Sequence, residues 1–346
     1  VFHNARLFIG RDEEVIDDAT VVVDGSTIAY AGPTSGAPTP SEAATHDVGG
    51  RFVMPGMTES HVHLSYANAH PQQLDRQPIP TAMLDAVDNA RMVLAAGFTS
   101  AISFGSAQGI DLPLRDAINR GRIPGPRLAA SDRDLGSTGS NADAAAPDSE
   151  GRKIIADGPW AVRAAIRMLA KKGVDIVKVF LDGEAISGHA PVGMLSYTDD
   201  EVAAAVDEAH ARGMRVVCHS RSAAAVKQAV RHGIDIIGHA NFLDDEAVQM
   251  LRDARDRIFV GPGIAWEVAL LDRGHEIGLP HDVMVARGYQ HEVDATIESV
   301  KRLRDAGVRV LVGGDYGLSI TPHGTQGKEL EYCVELFGMS PTEALL

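Results

Sequence analysis

The sequence predicts an α/β protein: a closed (β/α)8 TIM barrel with a small N-terminal β-sandwich-like domain. Three observations predict it. Eight short apolar runs alternate with helix-patterned segments between residues 51 and 315, and near-continuous apolar strands interleaved with helices make a parallel sheet covered on both faces. Several helical segments stop at a glycine just before the next run, at Gly97, Gly173, Gly213, Gly233 and Gly307, because glycine enters the left-handed conformation that ends a helix. No Gly-x-Gly-x-x-Gly follows the first strand, which counts against an open dinucleotide-binding sheet.

Residues 1–55 read as the small β-domain. "ARLFIG", "ATVVVDGSTIAYAG" and "RFVMPG" are β-rich, with Asp24-Gly25 turning a hairpin, and "GPTSGAPTPSEAATHD" is a loop of turn formers. Residues 56–346 are assigned to the barrel. Its strands are expected in the runs at 51–57, 98–105, 127–131, 175–181, 215–220, 235–240, 257–263 and 309–315. Helices are expected over 81–96, 111–120, 159–172, 198–212, 222–232, 244–253, 291–306 and 326–338. The stretch 134–158, rich in small and polar residues, reads as a long loop placed to act as a lid.

Charge narrows the function. There are 47 acidic and 32 basic residues, a formal net charge of −15, which disfavours nucleic acid or an anionic membrane as partner. No apolar run reaches membrane-spanning length and no secretory segment follows the N-terminus. Two cysteines, Cys218 and Cys333, make no disulfide framework, so a reducing cytoplasm is the expected compartment. The chain starts at Val1 without methionine, consistent with residues removed before it.

In such a barrel the active site lies at the C-terminal ends of the strands. Strand 1 leads into "MPGMTESHVHLSY", which holds His61 and His63. Side chains at i and i+2 of an extended segment point the same way, about 6.6 Å apart, so two imidazoles there can converge on one cation. Chance is the competing reading, since the chain has 14 histidines. Strand 4 carries Lys178, strand 5 ends in His219, strand 6 in His239 and strand 8 in Asp315. Taken singly, each histidine reads equally as a satisfied core residue and Asp315 as an N-cap. Lys178 is harder to place, because lysine is almost never fully buried unpaired. Taken together on one rim, they point to a metal site.

The pattern resembles the amidohydrolase superfamily of metal-dependent hydrolases. The resemblance runs from "NARLF" through "PGMTESHVH" to "GGDYGLSITPHG" and "GKELEYCVELFGMSPTEALL". Within it, "DEAHARGMRVVCHS", "HGIDIIGHA" and "TPHG" look most like the imidazolonepropionase-like and Xaa-Pro or Xaa-Arg dipeptidase branch. The resemblance implies that His61, His63 and Asp315 hold one divalent metal ion, His219 and His239 a second, and a carbamylated Lys178 bridges the two. Zn2+ is the expected metal, with Mn2+, Fe2+ or Co2+ as alternatives. Two such ions sharing a water make a bridging hydroxide available and polarise a carbonyl, with Asp315 moving the proton. The implied reaction is hydrolysis of a C–N bond in a small-molecule amide, dipeptide, urea or carbamate.

Arg221, two residues past His219, is the expected contact for a substrate carboxylate, although "HSRS" departs from the "HAHG"-like stretch of the dipeptidases. The loops after strands 4, 7 and 8 offer His189 and Tyr197, Trp266 with the stretch around His275 and His281, and Tyr316 and His323. A mononuclear deaminase is the nearest rival; its relatives place a glutamate three residues after the strand-5 histidine, where this chain has Ser222. A catalytically inactive scaffold is the other. A homo-oligomer is expected. The chain ends at Leu346, where the family continues back to the N-terminal domain, so that domain is expected to be incomplete, with unpaired edges near "ATVVVDG".

Overall fold

A computed structural model describes residues 1–66, 77–143, 153–187 and 189–346. Two units divide the chain, one formed by Val1–Met57 with Cys333–Leu346 and the other by Thr58–Tyr332. The last fourteen residues, 333–346, therefore cluster with the N-terminal unit, where the sequence had assigned them to the barrel.

The first unit holds β1 (Phe2–Phe8), β2 (Val15–Asp24), β3 (Thr27–Pro33), β4 (His46–Asp47) and β5 (Phe52–Val53). They form one sheet in the order β3-β2-β1-β4, with β5 also on β1. A second facing sheet, which a sandwich requires, is not present among the described residues of this unit. Alternation places Ala5, Leu7, Ala19 and Val21 together in its apolar core. The expected hairpin is there: Asp24 pairs with Thr27, and Gly25 takes φ +57° in the turn. The "ATVVVDG" strand is not an edge, since β2 pairs with β1 on one side and β3 on the other.

The second unit alternates strand and helix. Its strands are β6 (Met57–Val62), β7 (Phe98–Ser103), β8 (Arg127–Ala129), β9 (Leu135–Gly136), β10 (Ile154–Ile155), β11 (Ile176–Phe180), β12 (Arg215–Ser222), β13 (Ile236–Phe242) and β14 (Phe259–Gly261). Its helices are α1 (Ile79–Ala95), α2 (Asp111–Asn119), α3 (Pro159–Lys172), α4 (Asp199–His210), α5 (Ala223–His232), α6 (Asp245–Asp253), α7 (Ile264–Arg273), α8 (His281–Ala286), α9 (Tyr289–Asp305) and α10 (Gly327–Glu335), the last three residues of α10 counting with the first unit. The five helix-ending glycines all have positive φ, from 71° at Gly307 to 92° at Gly97.

Two ladders result, β6-β7-β8 and β10-β9-β11-β12-β13-β14. The pairings described between β7 and β8, among β9 to β11, and from β11 through β14 are parallel. Backbone bonds extend them: Asp175 N–H donates to Ala130 O at 2.8 Å, Leu311 N–H to Val260 O at 2.7 Å, and Ser60 N–H to Val312 O at 2.9 Å.

Four details differ from the sequence reading. The run at 51–57 belongs to the first unit through β5, and the strand that delivers His61 is β6, a few residues later. The run at 309–315 makes only an isolated bridge at Val310, with another at Tyr316 just past it, because Gly313, Gly314 and the left-handed Asp315 (φ 61°) interrupt an extended ladder. The stretch after strand 7 holds two helices, α7 and α8, instead of a loop. The proposed lid carries β9 and β10; its residues 144–152 lie outside the described residues.

Strand alternation sets the two faces of the second unit. Val177, Val179, Val216, Cys218 and Ile237 pack with Ile166, Leu169, Ala205, Val226 and Leu251 from the helices. Ile176, Val217 and Ile236, one residue out of phase, form a separate interior cluster with Phe104. Lys178 and His219 share the phase of Ile176 and Val217, so the period of two sends them inward.

Candidate metal centre

His61, His63, Lys178, His219, His239 and Asp315 line one cavity of about 420 Å³. His61 and His63, at i and i+2, lie with ring centroids 5.4 Å apart; His61 is 5.2 Å from His239, and His239 is 4.5 Å from His219. Nε2 of His61 and His63 face the same Asp315 oxygen at 3.4 and 3.1 Å. Ligand atoms of these last three residues all lie within 4.8 Å of one another.

Two ligands depend on an unusual backbone. Alternation would send His239 to the helix side with Ile237. Its φ of 79°, followed by 56° at Ala240, re-aims it into the cavity. Asp315 has φ 61°. Left-handed non-glycine residues are uncommon and concentrate at functional sites.

The donor chemistry fits a divalent metal. Burial holds the imidazoles of His61, His219 and His239 well below the ordinary histidine value, so they are neutral, the form that ligates a cation. Nδ1 of His61 and Nδ1 of His239 are buried without a hydrogen-bond partner, a state that buried polar atoms rarely keep. His63 Nδ1 donates to the Gly105 carbonyl at 2.9 Å, which turns Nε2 toward Asp315. Burial acts to raise the Asp315 carboxyl, but the facing imidazoles of His61 and His63 hold it well below the usual carboxylate range. Lys178 is 2% exposed, with Nζ 4.4 Å from the Phe104 ring centre and 5.2 Å from that of Phe180. Burial lowers its ammonium to about 8.

The amidohydrolase family model matches residues 52–346. This chain belongs to the amidohydrolase family. Ochratoxinase from Aspergillus niger is 26% identical over 99% of this chain and 73% of its own length. Imidazolonepropionase from Cereibacter sphaeroides is 24% identical over 96% of this chain and 81% of its own. A crystal structure of a Xaa-Pro dipeptidase with methionine bound in its active site superposes with a TM-score of 0.87 at 27% identity, covering 99% of this chain and 85% of the other. These relatives fall in the branch that the sequence motifs resemble, and the structural likeness makes the fold TIM-barrel-like α/β. The amidohydrolase is an enzyme acting on C–N bonds. No helix among the described residues is long and apolar enough to cross a membrane.

The expected substrate contacts divide in two. His189 and Trp266 line the amidohydrolase cavity, with His189 Nε2 bonded to the Ser140 carbonyl at 3.0 Å. The other four are placed elsewhere. Arg221 is 0% exposed and does not reach the cavity; its guanidinium meets Glu292, Glu267 (3.2 Å) and Glu184 (3.1 Å). Tyr197 packs in the core between strands and helices. Tyr316 is buried, with its hydroxyl donating to Thr325 O at 3.3 Å. His323 is buried with Nε2 on the His63 carbonyl at 3.2 Å, and burial lowers it to about 4.

Sequence reasoning passed over Tyr66, Phe104, Asp134, Lys153 and Glu184, which also line the cavity. Tyr66 was open to discovery, three residues past His63 in the same motif. The pairing of Asp134 with Lys153, across 19 residues, had no local signal.

Proposed function

We propose that this amidohydrolase is a binuclear metal-dependent hydrolase that cleaves a C–N bond in a small amide, dipeptide, urea or carbamate. The observation that carries the reading is the convergence of six ligand-type side chains from five parts of the chain on one cavity. In this reading the eight parallel segments close into a (β/α)8 ring, for which the bonds from Val260 through Leu311 and Val312 to Ser60 are the support. His61, His63 and Asp315 would hold one ion and His219 and His239 the other. Lys178, once carbamylated, would offer an oxygen to each. Two divalent ions there would supply Lewis-acid activation of water and of the substrate carbonyl.

The chain's own residues supply the rest. Asp315, ionised because its imidazole neighbours outweigh burial, accepts the proton of the attacking water and passes it to the leaving nitrogen. Trp266 and His189 border the space left for substrate. Small amides are favoured over proteins by the size of the cavity, about 420 Å³. The tighter grouping of His61, His63 and Asp315 supports a second reading, a mononuclear deaminase. Metal analysis together with a product assay separates them. Two zinc, manganese or cobalt ions per chain, with chelation abolishing amide hydrolysis and metal restoring it, supports the binuclear hydrolase. One ion with release of ammonia from an aminated ring supports the deaminase, and full hydrolysis by metal-free protein removes both.

A further inference from the structure

Tyr66 and Lys153 line the cavity without belonging to the ligand cage. Tyr66 closes a short turn, its N–H donating to the His63 carbonyl at 2.9 Å. The turn lays the phenol ring flat on the His63 imidazole, with centroids 4.2 Å apart and planes 5° from parallel. The bond from His63 Nδ1 to Gly105 O pins one ring atom. An imidazole held at one atom still rocks about that contact, and a face-on neighbour removes the rocking.

The phenol is itself held. The Lys153 ammonium donates to the Tyr66 hydroxyl at 3.2 Å and pairs with Asp134. Asp134 is 1% exposed and immediately precedes β9; Lys153 immediately precedes β10. Their backbones are joined, with Ile154 N–H donating to Asp134 O at 2.8 Å. Asp134 also abuts the other support of His63: a Cβ added at Gly105 would fall 1.5 Å from its Oδ1. Both supports of this one imidazole, the stacked ring and the carbonyl acceptor, are thus backed by the same ion pair.

We propose that Tyr66 is a positioning residue for the metal ligand His63, locked by Lys153 and Asp134, so that this ion pair beside β9 and β10 tunes the metal affinity of the centre. The inference rests on the metal-hydrolase reading above. Outer groups that orient a ligand change metal affinity by about 10–100-fold when removed, and a ring clamped between a hydrogen bond and a stacked neighbour is preorganised in that sense.

Metal affinity of the full chain, measured by competition with a chromophoric chelator, tests this without substrate. Cobalt-loaded protein adds a second readout, because its visible d–d bands report ligand geometry. Tyr66→Leu is expected to weaken binding by about 10–100-fold and to shift the cobalt bands, whereas Tyr66→Phe, which keeps the ring and loses only the hydroxyl that Lys153 holds, is expected to lose less. Lys153→Met is expected to weaken binding in the otherwise native chain and to cost distinctly less in Tyr66→Leu, where only the Gly105 support is left for the ion pair to back. Unchanged affinity and bands in folded Tyr66→Leu would overturn the proposal, as would a Lys153→Met loss of equal size in both backgrounds. If Tyr66→Leu does not fold, the same cycle is run with Tyr66→Phe: a shared loss supports the lock and additive losses overturn it. A native chain that binds no metal removes the proposed function and this inference together. Native binding with an unmoved Tyr66→Leu removes this inference alone.

Discussion

His63 Nε2 lies 3.1 Å from Oδ1 of Asp315, and His61 Nε2 lies 3.4 Å from that same oxygen. One carboxylate oxygen thus faces two imidazole nitrogens that come from a different end of the chain. An anion in that position can share a cation with both and still exchange a proton with a water beside it.

Asp315→Asn separates those duties, since the amide keeps the shape and loses the basicity. The expected loss in kcat is at least ~10²-fold, the scale of general acid–base catalysis, with circular dichroism unchanged. Near-native kcat in a steady-state assay would exclude the proton-transfer role.

Lys178 is expected to respond to bicarbonate. A carbamate forms from the neutral amine, and burial has brought this ammonium down to about 8. The neutral fraction therefore rises with pH through that value. Reactivation of apo-protein by metal plus bicarbonate should be faster at pH 8.5 than at pH 6.5, about tenfold or more when only the fraction of free amine counts. Lys178→Ala should lose metal and activity, and Lys178→Glu should recover part of the metal. A rate independent of pH and bicarbonate would argue for an unmodified amine.

Arg221→Met is expected to act on stability. The guanidinium is fully buried against Glu184, Glu267 and Glu292, and its removal leaves carboxylates without their counter-charge. Breaking a buried pair this way costs about 3–5 kcal/mol, which denaturant unfolding will register. A variant as stable as the native chain, with a raised KM instead, would return Arg221 to the substrate.

Trp266→Ala opens one wall of the cavity. KM for the best amide substrate should rise by about tenfold, the loss of part of an aromatic contact, with a smaller change in kcat. A fall in kcat alone, measured over a full substrate range, would place the indole at the chemistry instead.

How much of this was readable beforehand depended on whether the rule involved was local. The inward phase of Lys178 and His219 follows from the strand period, and both lie where it puts them. His239 breaks that period, and only its left-handed backbone brings it in. The i+2 rule failed for Arg221 because the register shifts between Ser220 and Ser222. Its glutamate partners also stand 37 to 71 residues away in sequence. Helix α7 was missed because "IAWEVALL" is apolar on nearly every side and follows Gly261-Pro262-Gly263, with no polar N-cap to announce it. That the final run pairs only through an isolated bridge could not be told from composition alone.

The left-handed φ at His239 and Asp315 bears on how such a centre can change over evolutionary time. Among residues with a side chain, asparagine, aspartate and histidine tolerate that conformation best. Two of those three are also strong metal ligands, so one residue type meets the backbone's requirement and the ion's at once. Glutamate or cysteine meets only the second. A lineage drifting toward a softer or larger ion by exchanging either residue would have to reshape the strand end in the same step, which closes most single-substitution routes and helps keep the donor set as it is.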